Sequence, residues 1–229
     1  MKRTLAILLS AALLLSGCAF NRGNVRGTDV SNRMEDSTVL LKMKVKATFQ
    51  DPKTGEKIVR TGWGSCSGVY IKENIILTAA HCINVPENME LKEIWARKGN
   101  ESAKAVAVKV DGPADLALLY TTMHGRPVQL ANRAVRGEDC WVIGNPIGLT
   151  DILTRGIVSR LNLVIPGEKA SFLVLDAVVL PGNSGGAVVD SDYHLIGILT
   201  RSTSMFGAFG ASGLGLAVDL RTIREFLRS

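Results

Sequence analysis

The stretch "PGNSGGAV", residues 181–188, sets one serine among three glycines behind a proline. Such a composition reads first as a turn. It becomes more than a turn only if the chain around it supplies partners for Ser184. Immediately after it "GAVVD" (186–190) begins an apolar run, and immediately before it stands "FLVLDAVVL" (172–180). Both are short and rich in β-branched residues, so the serine lies on a connection between two strands.

The same pattern repeats along the chain. "VLLKMKVKATF" (39–49), "IVRTGWGSCSGVYI" (58–71), "NIILTAAHC" (74–82), "LKEIWAR" (91–97), "AKAVAVKV" (103–110) and "LALLYT" (116–121) precede it. So do "CWVIG" (140–144) and "ILTRGIVSRL" (152–161); "LIGILTR" (195–201) and "GLGLAV" (213–218) follow. Short strands in such number, without alternating helices, predict an all-β antiparallel sandwich or barrel. One helix is expected, at 219–229, where Asp219 can cap and Leu220, Ile223, Phe226 and Leu227 share a face.

The chain has 229 residues, 46% hydrophobic and 21% charged, enough to bury a large core. Its net charge is +6, which removal of Lys2 and Arg3 with a leader would lower by two. Lys42, Lys44 and Lys46 alternate with apolar residues as the wet face of a strand does. No aromatic stacking platform accompanies them, so nucleic acid is not an expected partner. The start, "MKRTLAILLSAALLLSGCAF", has a basic end and an apolar run too short for a comfortable membrane span. Residues 1–17 are read as a signal peptide. "LSGC" (15–18) resembles the lipobox of bacterial lipoproteins, which implies that Cys18 is lipidated; Ala19 after it implies sorting to the outer membrane, facing the periplasm. Residues 18–37 are expected to be the lipidated cysteine and a flexible tether reaching roughly 25 Å. Export favours one disulfide among Cys66, Cys82 and Cys140, with one thiol left over.

Acyl transfer by serine needs a base, a carboxylate to orient it, and N–H donors for the oxyanion. His81 in "TAAHC" and Asp115 in "DLALL" are the candidates; His124 and His194 stand in turn-like settings. The order His81, Asp115, Ser184, with "TAAHC", "DLALL" and "GNSGGAV" around them, resembles the chymotrypsin-like serine proteases. "VIGNPIGLTDILTRGIVSRL" (142–161) and "DAVVLPGNSGGAVVD" (176–190) are most similar to the bacterial high-temperature-requirement (DegP-type) members. Those usually carry PDZ domains after the protease; this sequence ends at Ser229, and no PDZ domain is expected.

The resemblance covers residues 38–229. It implies two antiparallel six-stranded β-barrels, about 38–125 and 126–218, and a C-terminal helix, 219–229. It implies catalysis by His81, Asp115 and Ser184, an oxyanion hole from the N–H groups of Gly182 and Ser184, and a Cys66–Cys82 disulfide. It places Val178 at the base of the substrate pocket, Thr200, Arg201 and Ser202 along one wall, and Gly213 opposite, which suits small or medium aliphatic side chains. Gly185 and Gly186 are expected to leave room for substrate. Digestive members are activated when a new N-terminal amine pairs with an aspartate before the serine; Asn183 stands there, so no activating cleavage is expected. No metal or cofactor is implied. Protein or peptide substrates are expected, with a trimer by resemblance. The competing reading is an inactive protease-fold lipoprotein that binds or scaffolds. An esterase of the α/β-hydrolase kind would need the reverse chain order.

Overall fold

A computed structural model describes residues 26–202 and 214–229. The signal peptide, Cys18 and Gly213 therefore lie outside the described residues.

The first barrel closes in the order β1-β2-β3-β6-β5-β4. Its strands are β1 (Thr38–Gln50), β2 (Lys57–Lys72), β3 (Ile75–Thr78), β4 (Met89–Lys98), β5 (Glu101–Asp111) and β6 (Leu116–Thr121). The second holds β7 (Asp139–Gly144), β8 (Ile152–Val164), β9 (Ser171–Asp176), β10 (Ala187–Val189), β11 (Leu195–Ser202) and β12 (Leu214–Asp219). It closes in the order β10-β11-β12-β9-β8-β7. All pairings between these strands are antiparallel. The expected all-β fold of two six-stranded barrels is the observed one.

Period-2 alternation sorts the side chains. Leu41, Met43, Ile76 and Leu119 fill the first barrel, and Val142, Val158, Leu173 and Leu199 the second. The alternate residues Val69, Leu77 and Leu116 meet Trp141, Ile143 and Ala187 in a third cluster between the barrels. Strands at this seam are buried on both faces, which is why "LALLYT" and "CWVIG" read as unbroken apolar runs. The nucleophile loop lies beside the seam.

The last helix, α2 (Leu220–Arg228), is capped as expected: Asp219 Oδ1 accepts the Thr222 N–H at 2.9 Å. The tether reading fails over its last part. Gly27–Met34 form a helix, α1, followed by a 3-10 turn, Glu35–Ser37, that leads into β1. Val30 (0% exposed) and Met34 (2%) lie four residues apart on one helix face and enter the cluster between the barrels. A helix this short is marginal alone; burial of these two side chains holds it.

Candidate active site

β3 ends against the seam, and the chain turns there through a single 3-10 turn, Ala80–Cys82, that carries His81. Cys82 is bonded to Cys66 on β2, which fixes this turn to the neighbouring strand. Among the described residues Cys140 is the free cysteine; it is buried, and burial pushes its thiol up to about 12. It is inert as a nucleophile at ordinary pH.

Asp115 closes the turn between β5 and β6. Its N–H donates to Gly112 O at 3.0 Å, and Asp111 Oδ1 accepts the Ala114 N–H at 3.0 Å. The turn leaves Asp115 in the left-handed region, φ 53°. A short polar side chain is among the few that tolerate this conformation. Asp115 Oδ1 accepts the His81 backbone N–H at 2.9 Å, and its two oxygens lie 3.0 and 2.9 Å from His81 Nδ1. Backbone and ring are thus held by one carboxylate. With Nδ1–H on the carboxylate, Nε2 is the basic nitrogen.

Ser184 sits between β9 and β10. Its hydroxyl donates to Thr200 O at 2.9 Å. The loop around it is bonded almost throughout. Pro181 O accepts from the Ile147 N–H, Gly182 O from the Ser67 hydroxyl, and Ser184 O from the Ser67 N–H. Asn183 N–H donates to Leu180 O, Gly185 N–H to Leu199 O and Gly186 N–H to Asn183 O. From Gly182 to Gly186, the two N–H groups without a protein acceptor among the described residues are those of Gly182 and Ser184. Because C=O and N–H point oppositely across a trans peptide, the Pro181–Ile147 bond turns the Gly182 N–H the other way. Gly182 adopts φ 98°, open to glycine at no steric cost. Asn183 is buried, and its Oδ1 has no hydrogen-bond partner among the described residues.

His81, Asp115 and Ser184 line one cleft of about 700 Å³ that runs between the barrels. Thr200, Arg201 and Ser202 line the cleft together with Glu168. The Arg201 guanidinium is ion-paired with Glu168 and lies over the Phe172 ring at 5.2 Å. Val178 is misplaced by the sequence reading. It is 56% exposed and lines a separate hollow with Asp139 and Arg155, whereas Val179 and Leu180 line the cleft. β9 ends at Asp176, and alternation beyond it turns Ala177 inward and Val178 outward. A shift of one residue in an extended segment reverses every side chain. Sequence reasoning also missed Ser67 and Asn145, which carry the loop's buried hydrogen bonds. "GNPIG" lies inside the stretch 142–161 that carries the family likeness and names no role for its asparagine, and a serine inside "SCSGVYI" carries no local signal.

A family model for a trypsin-like peptidase domain matches residues 66–198. Protease Do-like 5, chloroplastic, of Arabidopsis thaliana is 37% identical over 131 residues, 53% of this chain and 41% of that protein. A serine protease HtrA-like protein of Staphylococcus aureus (strain USA300) is 33% identical over 159 residues, 61% of this chain and 20% of that protein. The chain thus spans less than half the length of these relatives. Among solved structures, the HtrA-type protease AlgW with decapeptide superposes with a TM-score of 0.70 at 26% identity, covering 88% of this chain and 66% of that one. The active form of the Rv3671c protease from M. tuberculosis gives 0.69 at 20% identity, covering 87% and 82%. The chain belongs to the trypsin-like peptidase domain family.

Proposed function

We propose that this protein is a serine endopeptidase that works through an acyl-enzyme. The observation that carries the reading is an Asp115-held His81 and Ser184 on one cleft, with the N–H groups of Gly182 and Ser184 left without a protein acceptor among the described residues. Rotation of the Ser184 hydroxyl exchanges Thr200 O for His81 Nε2, which takes the proton as Oγ attacks the peptide carbonyl. Asp115 keeps Nδ1 protonated and stabilises the imidazolium. The carbonyl oxygen, becoming negative, enters the pair of N–H donors, which strengthens only as the charge develops. His81 then returns the proton to the leaving amine, and water repeats the cycle on the ester. Val179 and Leu180 give the cleft an apolar floor, while Glu168 neutralises Arg201, so cuts after small aliphatic residues are expected. Burying an unpaired cation there would cost several kcal/mol.

The test is casein digestion by the purified chain, with cleavage sites read by mass spectrometry and Ser184 followed by a fluorophosphonate probe. Ser184→Ala, His81→Ala and Asp115→Asn should each lower turnover by about 10³-fold or more. A folded Ser184→Ala protein that digests casein normally would remove the reading. Dominant cuts after Lys or Arg would remove the pocket assignment alone.

The placement in the cell belongs to the same proposal. "LSGC" supports lipidation of Cys18 and an envelope position, with the protease held at a membrane and acting on envelope proteins, in quality control for example. Two acyl chains or more are needed for stable anchoring. Cys18→Ser should move the protein to the aqueous phase in detergent partitioning; equal partitioning of both forms refutes the anchor.

A further inference from the structure

A two-residue relay lies under the nucleophile loop. Ser67, on β2 of the first barrel, is 0% exposed, and Asn145, after β7 of the second, is 1% exposed. The Asn145 N–H and Nδ2–H donate to Ser67 Oγ at 2.7 and 3.2 Å. Ser67 Oγ donates its one proton to Gly182 O at 2.8 Å. A hydroxyl has one proton and two lone pairs, so Ser67 is saturated and its proton has a single direction. Asn145 is fixed in turn: its Nδ2 also donates to Val39 O at 3.1 Å, and its Oδ1 accepts the Asp151 N–H at 3.2 Å. These opposed partners settle which way the amide faces.

The Gly182 carbonyl belongs to the peptide plane between the two N–H groups assigned to the oxyanion. Its partner atom, the Asn183 N–H, is bonded to Leu180 O at 3.0 Å. This plane joins the Pro181–Gly182 peptide, which carries one of those N–H groups and is held by the Ile147 N–H, to the Asn183–Ser184 peptide, which carries the other, so turning it would change the angle between the two donors. The geometry points to Ser67 and Asn145 as positioning residues of the oxyanion hole: beside the Ser67 N–H bond to Ser184 O, the first barrel sets the donor geometry of the second through the Ser67 hydroxyl that Asn145 aims. The inference rests on the endopeptidase reading. Neither residue touches substrate; both act through Gly182.

The experiment compares kcat and KM on a peptide taken from the casein cleavage sites, for wild type, Ser67→Ala, Asn145→Ala and the double variant. Active enzyme is counted by fluorophosphonate titration and folding by thermal melting. Loss of a positioned oxyanion donor lowers kcat by about 10²-fold, and Ser67→Ala should approach that value with KM within about threefold. Asn145→Ala keeps the backbone N–H on Ser67 Oγ but removes the side-chain donor, so the hydroxyl is held by one donor instead of two, and kcat should fall by about tenfold. The double variant should be no slower than Ser67→Ala, because both act through one contact. A folded Ser67→Ala enzyme with wild-type kcat overturns the inference, as do losses that multiply in the double variant. If Ser67→Ala does not fold, Asn145→Ala decides, and an unchanged kcat overturns the relay. A wild type that neither cleaves nor labels removes the endopeptidase reading and the relay together, whereas an active wild type with indifferent variants removes the relay alone.

Discussion

Gly185 shows how the loop is fitted to its neighbours. It adopts φ +80°, and a Cβ there would lie 2.1 Å from Thr78 Oγ1 and 2.2 Å from Ser67 O. The sequence suggested that this glycine makes room for substrate; the space it keeps free is taken by the first barrel. Thr78 Oγ1 donates to Ser67 O at 2.7 Å, so neither atom can retreat without losing that bond. Gly185→Ala should therefore combine backbone strain with overpacking, roughly 3 kcal/mol together. For a domain of this size the melting temperature should fall by about 10 °C. A variant that melts with the wild type would show that the loop has slack there. Asn183, two residues before it, is buried, and no cation bonds its Oδ1 among the described residues. The neutral amide suits that site, where a carboxylate would be desolvated.

At the scale of elements, the twelve strands were legible because each alternates or runs apolar over a length that only a strand in a barrel explains. Their pairing into two barrels was not; it came from the resemblance of the motifs around His81, Asp115 and Ser184. The helix α1 was illegible. Its eight residues offer two apolar side chains, Val30 and Met34, and their partners, among them Trp141 and Leu195, are distant in sequence. The pocket base was misplaced for a related reason. Counting back from Ser184 assumes that the connection from β9 keeps a fixed length, and the structure turns Val179 where the count put Val178. Ser67 and Asn145 were hidden because their role exists only where a strand of one barrel meets a loop of the other. What a sequence displays well is periodicity and local motif; what it conceals is contact across the seam.

At the scale of the molecule, several polar links cross between the barrels, among them Ser67 to Gly182, Lys169 to Asp111 at 2.6 Å, and Thr38 to Asp151 at 3.3 Å. The last joins the start of β1, where α1 delivers the chain, to the loop that holds Asn145. Asp151 adopts φ 58°, and burial pushes its carboxyl above the ordinary value. Glu35 adds to this, while the Thr38 hydroxyl and the Lys98 charge oppose it without cancelling it. The sign follows. A carboxyl raised in the fold binds its proton more tightly there than in the unfolded chain, where its pKa is about 3.9. Below that value both states are protonated and the site costs nothing. As pH rises through the unfolded pKa and then the raised folded one, a penalty accumulates, and it persists at neutrality. Asp190 is raised by burial too, but it contributes equally to both proteins in a comparison at Asp151. Asp151→Asn keeps an acceptor for Thr38 and tolerates the left-handed backbone. It should melt a few degrees above the wild type at pH 7, and the gap should close as pH falls below about 4. Thermal melts across that range check it. A gap that widens on acidification, or an Asn variant less stable at neutral pH, would mean that the charged carboxylate stabilises the junction between the barrels.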